Sequence, residues 1–247
     1  KRKYMDTQTI KSQEKSINTT ERISGSEAIV RCLIEEGVDI LYGYPGGAIM
    51  PVYDELYKYQ DKIHHVLTRH EQGATHSAQG YARISGRVGV AMATSGPGAT
   101  NLITGIADAQ IDSTPMVCIT GQVPSHLLGS DAFQETDIVG ISTPVTKWNH
   151  QVTKASDIPK VLAKAFYIAK SGRPGPVLID ITKDAQFEMF DFNYSKVTGI
   201  RSYKPVPKLE TTSLNLAADL INNASKPLIV WGQGVILSEA EKEFQAF

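Results

Sequence analysis

One acidic residue, Glu71, has a type and setting that could do chemistry. It lies at the predicted start of an alanine-rich helix, within the stretch Thr68–Asn101. That helix is followed by an apolar strand, Val88–Thr94, and by the turn Ser95–Gly98, which opens into another helix. Glycines in such a turn let the backbone approach a flat ligand closely. A carboxylate beside this turn favours a cofactor site, although an acid at a helix start can also serve only the helix dipole.

Two glycine-rich motifs and a long loop accompany this acid. GYPGGA at Gly43–Ala48 follows an apolar strand, and it can be a ligand-facing loop or a plain strand-to-helix turn. SGPGATN at Ser95–Asn101 invites comparison with a phosphate loop, but it lacks the spacing of a Walker or dinucleotide motif and no lysine follows it. TGQVP at Thr120–Pro124 begins the long loop Gly121–Gln134, and loops of this kind at a parallel-sheet edge often form binding sites.

These motifs, taken in order, resemble the large subunit of acetolactate synthase (acetohydroxyacid synthase), a family of thiamine-diphosphate enzymes. The resemblance covers roughly Ile23 to the end of the chain. It implies decarboxylation of pyruvate and ligation of the hydroxyethyl unit to pyruvate or 2-oxobutyrate, the first common step of branched-chain amino-acid biosynthesis. The alternatives are another thiamine-diphosphate enzyme, such as a pyruvate oxidase, glyoxylate carboligase or sulfoacetaldehyde acetyltransferase, or a non-catalytic α/β binding module. The carboligase family lacks the glutamate that Glu71 supplies.

The resemblance also implies a role for each matching site residue. In the family, the glutamate of the HEQGA motif hydrogen-bonds N1′ of the cofactor's aminopyrimidine and favours the imino tautomer that removes the C2 proton, and Glu71 matches it. The other residues implied to contact thiamine diphosphate are Tyr44, Pro45, Gly46, Gly47, Thr94, Pro97 and Asn101. Those implied to line the access channel or face the 2-keto acid are Ala48, Val123, Pro124, Ala132, Phe133 and Gln134. For Phe133, a core anchor is an equal alternative.

Further cofactors and partners follow from the same resemblance. Arg173, in the rigid turn SGRPGP, and the turn glycines Gly232 and Gly234 match FAD contacts, although Gln233 interrupts the family's run of three glycines. Mg²⁺ is expected, but its Gly-Asp-Gly ligand motif belongs to a third, C-terminal domain and does not occur in this chain, so we expect no metal site here. Expected partners are a second copy of the subunit, which completes the active site, and a regulatory small subunit.

The elements that must position these residues alternate between apolar strands and helices. This pattern predicts an α/β fold with a parallel sheet covered by helices on both faces, the pyrimidine-binding domain of the family. We expect a disordered tail at residues 1–22, this domain at 23–192, and a linker at 193–212 where periodicity is lost. Residues 213–247 are interpreted as the truncated start of a central FAD-binding α/β domain.

Composition excludes other classes of protein. The chain has 247 residues, 41% hydrophobic and 21% charged, with a net charge of −1, so no field attracts it to nucleic acid or an anionic membrane. No apolar run is long enough to span a bilayer, and no signal-peptide pattern begins the chain. Cys32 and Cys118 lie in apolar patterns and are interpreted as reduced core thiols, which predicts a cytoplasmic protein.

Overall fold

The computed structural model describes residues 21–247, so the predicted tail lies outside the described residues except for its last two positions. Arg22 already belongs to a strand, because its backbone pairs with Asp191. The chain divides into two compact units, the first ending at Pro205 and the second running from Val206 to Phe247. None of the helices within 21–247 combines the length and apolar composition that crossing a bilayer requires.

The first unit is built on a six-stranded parallel sheet of order β3-β2-β4-β5-β7-β6. Its strands are β2 Ile40–Gly43, β3 His64–Leu67, β4 Gly89–Ala93, β5 Met116–Gln122, β6 Trp148–Val152 and β7 Pro176–Thr182. Every residue of β4, β5 and β7 is buried, because helices cover both faces of these central strands. The predicted α/β class is therefore confirmed. A small antiparallel pair, β1 Arg22–Ser24 with β8 Met189–Asp191, was not predicted, since three residues carry no clear period.

Two hydrophobic cores lie on the two faces of this sheet. The helices of the first unit are α1 Gly25–Glu35, α2 Met50–Lys58, α3 Glu71–Ser85, α4 Pro97–Asn101, α5 Ile103–Ile111, α6 Ile138–Ser142, α7 Ile158–Lys170 and α8 Lys183–Phe187. One core joins Leu33 of α1 to Phe166 of α7. The other joins Ala74 and Ala78 of α3 to Ile106 of α5. Burial on both faces is the driving force that holds the layers together.

Helix α3 packs closely against the sheet. Ala74, Ala78 and Ala82 form its buried stripe, as the i, i+4, i+8 spacing predicts. A Cβ at Gly89, the first residue of β4, would lie 2.2 Å from the carbonyl oxygen of Ala78. Small side chains on both elements therefore permit the approach. Because α3 runs back from the carboxyl end of β3, its first residue, Glu71, lies at the carboxyl edge of the sheet.

Three predicted element boundaries differ from the structure. The predicted helix Thr100–Ile111 is two helices, since Leu102 separates α4 from α5. The strand predicted near Val145–Asn149 begins later, at Trp148, because Pro144 lies in a short 3₁₀ turn and has no N–H to donate to a ladder. The segment after Asn193 also packs on the first unit, where the Tyr194 hydroxyl hydrogen-bonds Glu36.

The second unit contains three helices, α9 Thr211–Asn222, α10 Gln233–Leu237 and α11 Glu241–Ala246. The strand predicted at Pro227–Trp231 is not formed, because no described residue pairs with its backbone. The ring of Trp231 packs on Phe244 with centroids 5.4 Å apart. Apolar side chains of this segment, such as Leu228 and Val230, are exposed.

Candidate active site

The carboxylate of Glu71 is buried, with 8% of the residue exposed. It is not the group that caps its own helix. His70 is the N-cap of α3, and its Nδ1 accepts a hydrogen bond from the backbone N–H of Gln72 at 3.1 Å. One backbone donor at this helix start is thus capped by the neighbouring residue, and the side chain of Glu71 bonds a different partner.

Asn101 holds one oxygen of this carboxylate. Its Nδ2 donates to Oε2 of Glu71 at 3.0 Å. The other oxygen, Oε1, has no hydrogen-bond partner within residues 21–247. It faces Gly98, where a Cβ would lie 3.3 Å from Oε1 and 2.7 Å from Cγ2 of Thr94. The SGPG turn therefore leaves one carboxylate oxygen available beside bare backbone.

Thr94 joins the two glycine-rich motifs. It directly follows β4, and its Oγ1 accepts a hydrogen bond from the backbone N–H of Ala48 at 3.1 Å. A Cβ at Gly46 would lie 2.5 Å from Cβ of Thr94. The first glycine of the GG pair is thus required for contact between the loops, whereas a Cβ at Gly47 would meet nothing within 4 Å. Tyr44, Pro45 and Gly47 are exposed on this loop, and Pro97 is exposed on the SGPG turn.

The sheet topology explains why these loops meet. Strand β2 lies between β3 and β4, so the chain turns one way after β2 and the opposite way to reach β4. This reversal is a topological switch point, where ligands of open α/β sheets bind beyond the carboxyl ends of the strands. GYPGGA follows β2 and SGPG follows β4. The two motifs and Glu71 therefore surround one crevice.

The loop that follows β5 reaches the same edge. Gln134 has φ 59°, and its backbone packs against Gly96, where a Cβ would lie 2.7 Å from the Gln134 carbonyl oxygen. Phe133 is 87% exposed, so the alternative of a core anchor is wrong. Pro124 and Ala132 are half-buried, and Val123 is buried beneath the loop.

Arg173 lies at the opposite edge of the sheet, because it precedes β7 whereas Thr94 follows β4. Its Nε donates to Oγ of Ser113 at 2.7 Å and one Nη donates to the carbonyl oxygen of Ile111 at 3.0 Å. It thus secures the end of α5 and is not part of the Glu71 crevice. Gly232 and Gly234 belong to the second unit, at the start of α10, and a Cβ at either would meet nothing within 4 Å.

Tyr53 of α2 was not predicted as a site residue. Its hydroxyl is buried without a hydrogen-bond partner in the described chain, and it lies over Gly43, where a Cβ would be 2.4 Å away. Burial raises the pKa of Tyr53, and the negative charge of Glu71 adds to this effect. Its ring makes an edge contact with His65, at 5.0 Å between centroids. No sequence signal separates such a tyrosine from an ordinary core residue of α2.

A second missed residue, Asp180, did carry a signal. It interrupts the apolar run of β7, and it is completely buried. Burial raises its pKa to about 6. Within residues 21–247, no group of three or more His, Cys, Asp or Glu side chains is placed to hold a metal ion.

Comparison with known proteins places this crevice in a family. Residues 23–141 match the model of the thiamine pyrophosphate enzyme, N-terminal TPP binding domain. The acetolactate synthase large subunit of Corynebacterium glutamicum is 56% identical over 227 residues, which is 92% of this chain and 36% of that protein. That of Buchnera aphidicola is 48% identical over 229 residues, covering 92% and 40%. A probable large subunit of Methanocaldococcus jannaschii is 48% identical over 224 residues, covering 90% and 38%.

The chain thus spans between 36% and 40% of the length of these relatives. The matched region contains the GYPGGA motif, Glu71, the SGPG turn and the loop after β5. These are the segments that the fold brings to one edge of the sheet. Residues 23–141 therefore match the N-terminal domain of the thiamine pyrophosphate enzymes, and over about nine tenths of its length the chain is similar to acetolactate synthase large subunits.

Proposed function

We propose that this chain is the N-terminal part of an acetolactate synthase large subunit. The whole protein decarboxylates pyruvate and transfers the two-carbon unit to pyruvate or 2-oxobutyrate, the first common step of branched-chain amino-acid biosynthesis. The observation that carries the proposal is the Glu71 carboxylate, buried at the switch point with one oxygen held by Asn101 and the other without a partner in the described chain. The identity to relatives of that name supports the specific reaction.

The crevice fits the aminopyrimidine end of thiamine diphosphate. A flat heteroaromatic ring requires bare backbone on its approach, and Gly98 provides it beside Oε1 of Glu71. Exposed Tyr44, Pro45 and Gly47 offer one wall, and Pro97 offers another. Bound thiamine diphosphate would supply a nucleophilic carbon for the 2-keto group and an electron acceptor for decarboxylation.

In this proposal, the proton-sharing atom of Glu71 is the carboxylate oxygen Oε1. With the cofactor bound, Oε1 of Glu71 would share a proton with N1′ of the aminopyrimidine, which would favour the imino tautomer of the 4′-amino group. Asn101 holds Oε2 and so directs Oε1 toward the crevice. Thr94 and Ala48 fix the two loops that form its walls. Phe133 and Gln134 extend from the third loop, where they face the 2-keto acid.

The remaining cofactors and partners rest on the resemblance and the relatives' names. Arg173, Gly232 and Gly234 would contact FAD, and the ligands of Mg²⁺ would come from a C-terminal domain. A second copy of the subunit would complete each active site. The relatives are named large subunits, which supports a small regulatory partner. We place the enzyme in the cytoplasm, in line with two buried free cysteines.

The test uses the full-length protein with thiamine diphosphate, Mg²⁺, FAD and pyruvate. Acetolactate should form, and Glu71→Gln should reduce kcat by roughly 10²–10⁴-fold, since one general acid–base contribution has this size. Glu35→Gln, at an exposed position of α1, is the matched control and should leave turnover unchanged. Pyruvate consumption without acetolactate would indicate another thiamine-diphosphate enzyme. A protein that does not bind thiamine diphosphate would contradict the proposal.

A further inference from the structure

Asp180 is a buried carboxylate that the proposed mechanism does not use. It lies on β7 beside Thr120 of β5 and Gln151 of β6, in register with both. Its Oδ1 accepts from Oγ1 of Thr120 at 2.7 Å, and its Oδ2 accepts from Nε2 of Gln151 at 2.9 Å. In the described chain, no lysine, arginine or histidine forms an ion pair with it. Its burial is therefore compensated by neutral donors alone.

The third donor to Asp180 connects it to the loop after β5. Gln122, the last residue of β5, donates from Nε2 to Oδ2 of Asp180 at 3.1 Å and to the carbonyl oxygen of Thr136 at 2.9 Å. Its Oε1 accepts from the backbone N–H of Val123 at 2.9 Å. Both amide hydrogens and the amide oxygen are thus in use. One buried side chain holds the first residue and the penultimate residue of the β5–α6 loop, which we define as Val123–Asp137.

Two further carboxylates hydrogen-bond the backbone of the same loop, one from α8 and one from the loop itself. Asp184 of α8 accepts from the backbone N–H of Ser125 at 2.9 Å and from its hydroxyl. Glu135 accepts from the backbone N–H groups of Ala132, at 3.1 Å, and of Gly129. These contacts fix the middle of the loop, but neither spans its two ends as Gln122 does.

We propose that Gln122 and Asp180 are positioning residues, which hold the β5–α6 loop so that Phe133 and Gln134 face the substrate. The loop contains no regular strand or long helix that could fix its own shape. Gln134 packs on Gly96 of the SGPG turn, so movement of the loop ends is transmitted to the wall of the crevice. The inference rests on the proposed function, because that function makes the loop a substrate-facing element.

The carboxylate orients the glutamine. Without an acceptor at Oδ2 of Asp180, one hydrogen of the Gln122 amide would lose its partner. The orientation that directs the other hydrogen toward Thr136 would then no longer be fixed. Asp180→Asn retains an acceptor oxygen for Gln122 and Gln151, and its amide can donate to Thr120. We therefore expect Asn to preserve the loop, whereas a residue without an acceptor would release it.

The experiment compares Gln122→Met with Gln151→Met in the full-length protein. Both variants remove one donor to Oδ2 of Asp180 and conserve side-chain volume, but only Gln122 contacts the loop. Hydrogen–deuterium exchange of peptides covering residues 123–137 should accelerate at least about 5-fold in Gln122→Met and stay near wild type in Gln151→Met and Asp180→Asn. Steady-state kinetics should show a raised KM for pyruvate in Gln122→Met, with a smaller change in kcat.

The outcomes separate this inference from the proposed function. Equal loop exchange in the two methionine variants would overturn the positioning role, whatever the activity. Faster loop exchange in Gln122→Met with an unchanged KM would also overturn it, since the loop would not face substrate. If the wild type makes no acetolactate, the proposed function fails. The exchange data still test whether Gln122 holds the β5–α6 loop. If Gln122→Met does not fold, hydrogen–deuterium exchange in the wild type tests the anchoring instead. The inference requires the Val123 amide to be as protected as the amides of β5, and faster exchange there would overturn it.

Discussion

Asn101 and Glu71 lie 30 residues apart in sequence, and the side-chain amide of one holds a carboxylate oxygen of the other at 3.0 Å. Asn101 is the last residue of α4 and Glu71 is the first residue of α3. Because Asn101 occupies Oε2, only Oε1 is directed toward the crevice. Oε1 of Glu71 is therefore the oxygen that we propose shares a proton with the cofactor.

Asn101→Ala should lower kcat of the full-length enzyme by roughly 10-fold, because a hydrogen bond to a charged group has a net value of about 1.5–3 kcal/mol and the carboxylate would lose its orientation. Asn101→Asp should lower kcat further, since a second carboxylate beside Glu71 offers Oε2 no donor and repels its charge. Thermal unfolding of both variants is the control for folding. A wild-type kcat in Asn101→Asp would contradict the contact.

Gly98→Ala should impair activity through a steric clash. The new Cβ would lie 2.7 Å from Cγ2 of Thr94, a β-branched side chain with little rotamer freedom. We expect weaker binding of thiamine diphosphate and a loss of turnover of roughly 10-fold or more, by the usual effect of a misplaced reacting group. Adding Thr94→Ser removes Cγ2 and should restore part of the loss.

The matched control for this substitution is Gly80→Ala, on α3, where a Cβ would meet nothing within 4 Å. It should leave activity unchanged and slightly favour the helix. If the Gly98→Ala and Thr94→Ser effects are simply additive, the clash does not account for the loss.

The stability of the protein should depend on Asp180 between about pH 4 and pH 6. Burial raises the pKa of this carboxyl from 3.8 to about 6, while hydrogen bonds from its neighbours lower it and the charge of Asp137 raises it further. The folded state thus binds the Asp180 proton more tightly than the unfolded state does. The resulting contribution to the free energy of unfolding is therefore full below pH 3.8 and is lost as pH rises through about 6. Its size is at most ~3 kcal/mol.

Asp180→Asn should remove this dependence. The Tm of wild type minus that of Asp180→Asn should therefore fall as pH rises across this window and then level off near neutrality. Differential scanning fluorimetry of the two proteins across the window is the measurement. A constant difference in Tm would mean that Asp180 does not titrate there.

Arg173→Ala should destabilise the first unit regardless of flavin. Its guanidinium donates to Ser113, whose φ is 57°, and to the carbonyl oxygen at the end of α5. Loss of these bonds should reduce stability by about 1–2 kcal/mol. Tm should be measured with and without added FAD, with Arg173→Lys as the control that keeps the charge. A variant with unchanged Tm without FAD would contradict the structural role, and flavin absorbance tests the proposed contact separately.

Much of the fold could be predicted because its signals are local. The apolar runs of β4, β5 and β7 predict buried parallel strands, and the alanine spacing of α3 predicts its packed face. Predictions of secondary structure failed where an element forms only with a partner segment. The segment Pro227–Trp231 has strand composition but no paired neighbour in the described chain, and a strand exists only through its neighbour's hydrogen bonds.

The sequence alone indicated the family and singled out Glu71 as the candidate acid, since Glu71 and the glycine motifs are recognisable as local patterns. Tertiary structure decided which groups meet. It placed Asn101 on Glu71, turned Arg173 to the opposite edge, and exposed Phe133 instead of burying it. It also connected Asp180 through Gln122 to both ends of a loop, across 58 residues of sequence. Such contacts depend on strand order and crossover direction, which side-chain periodicity does not encode.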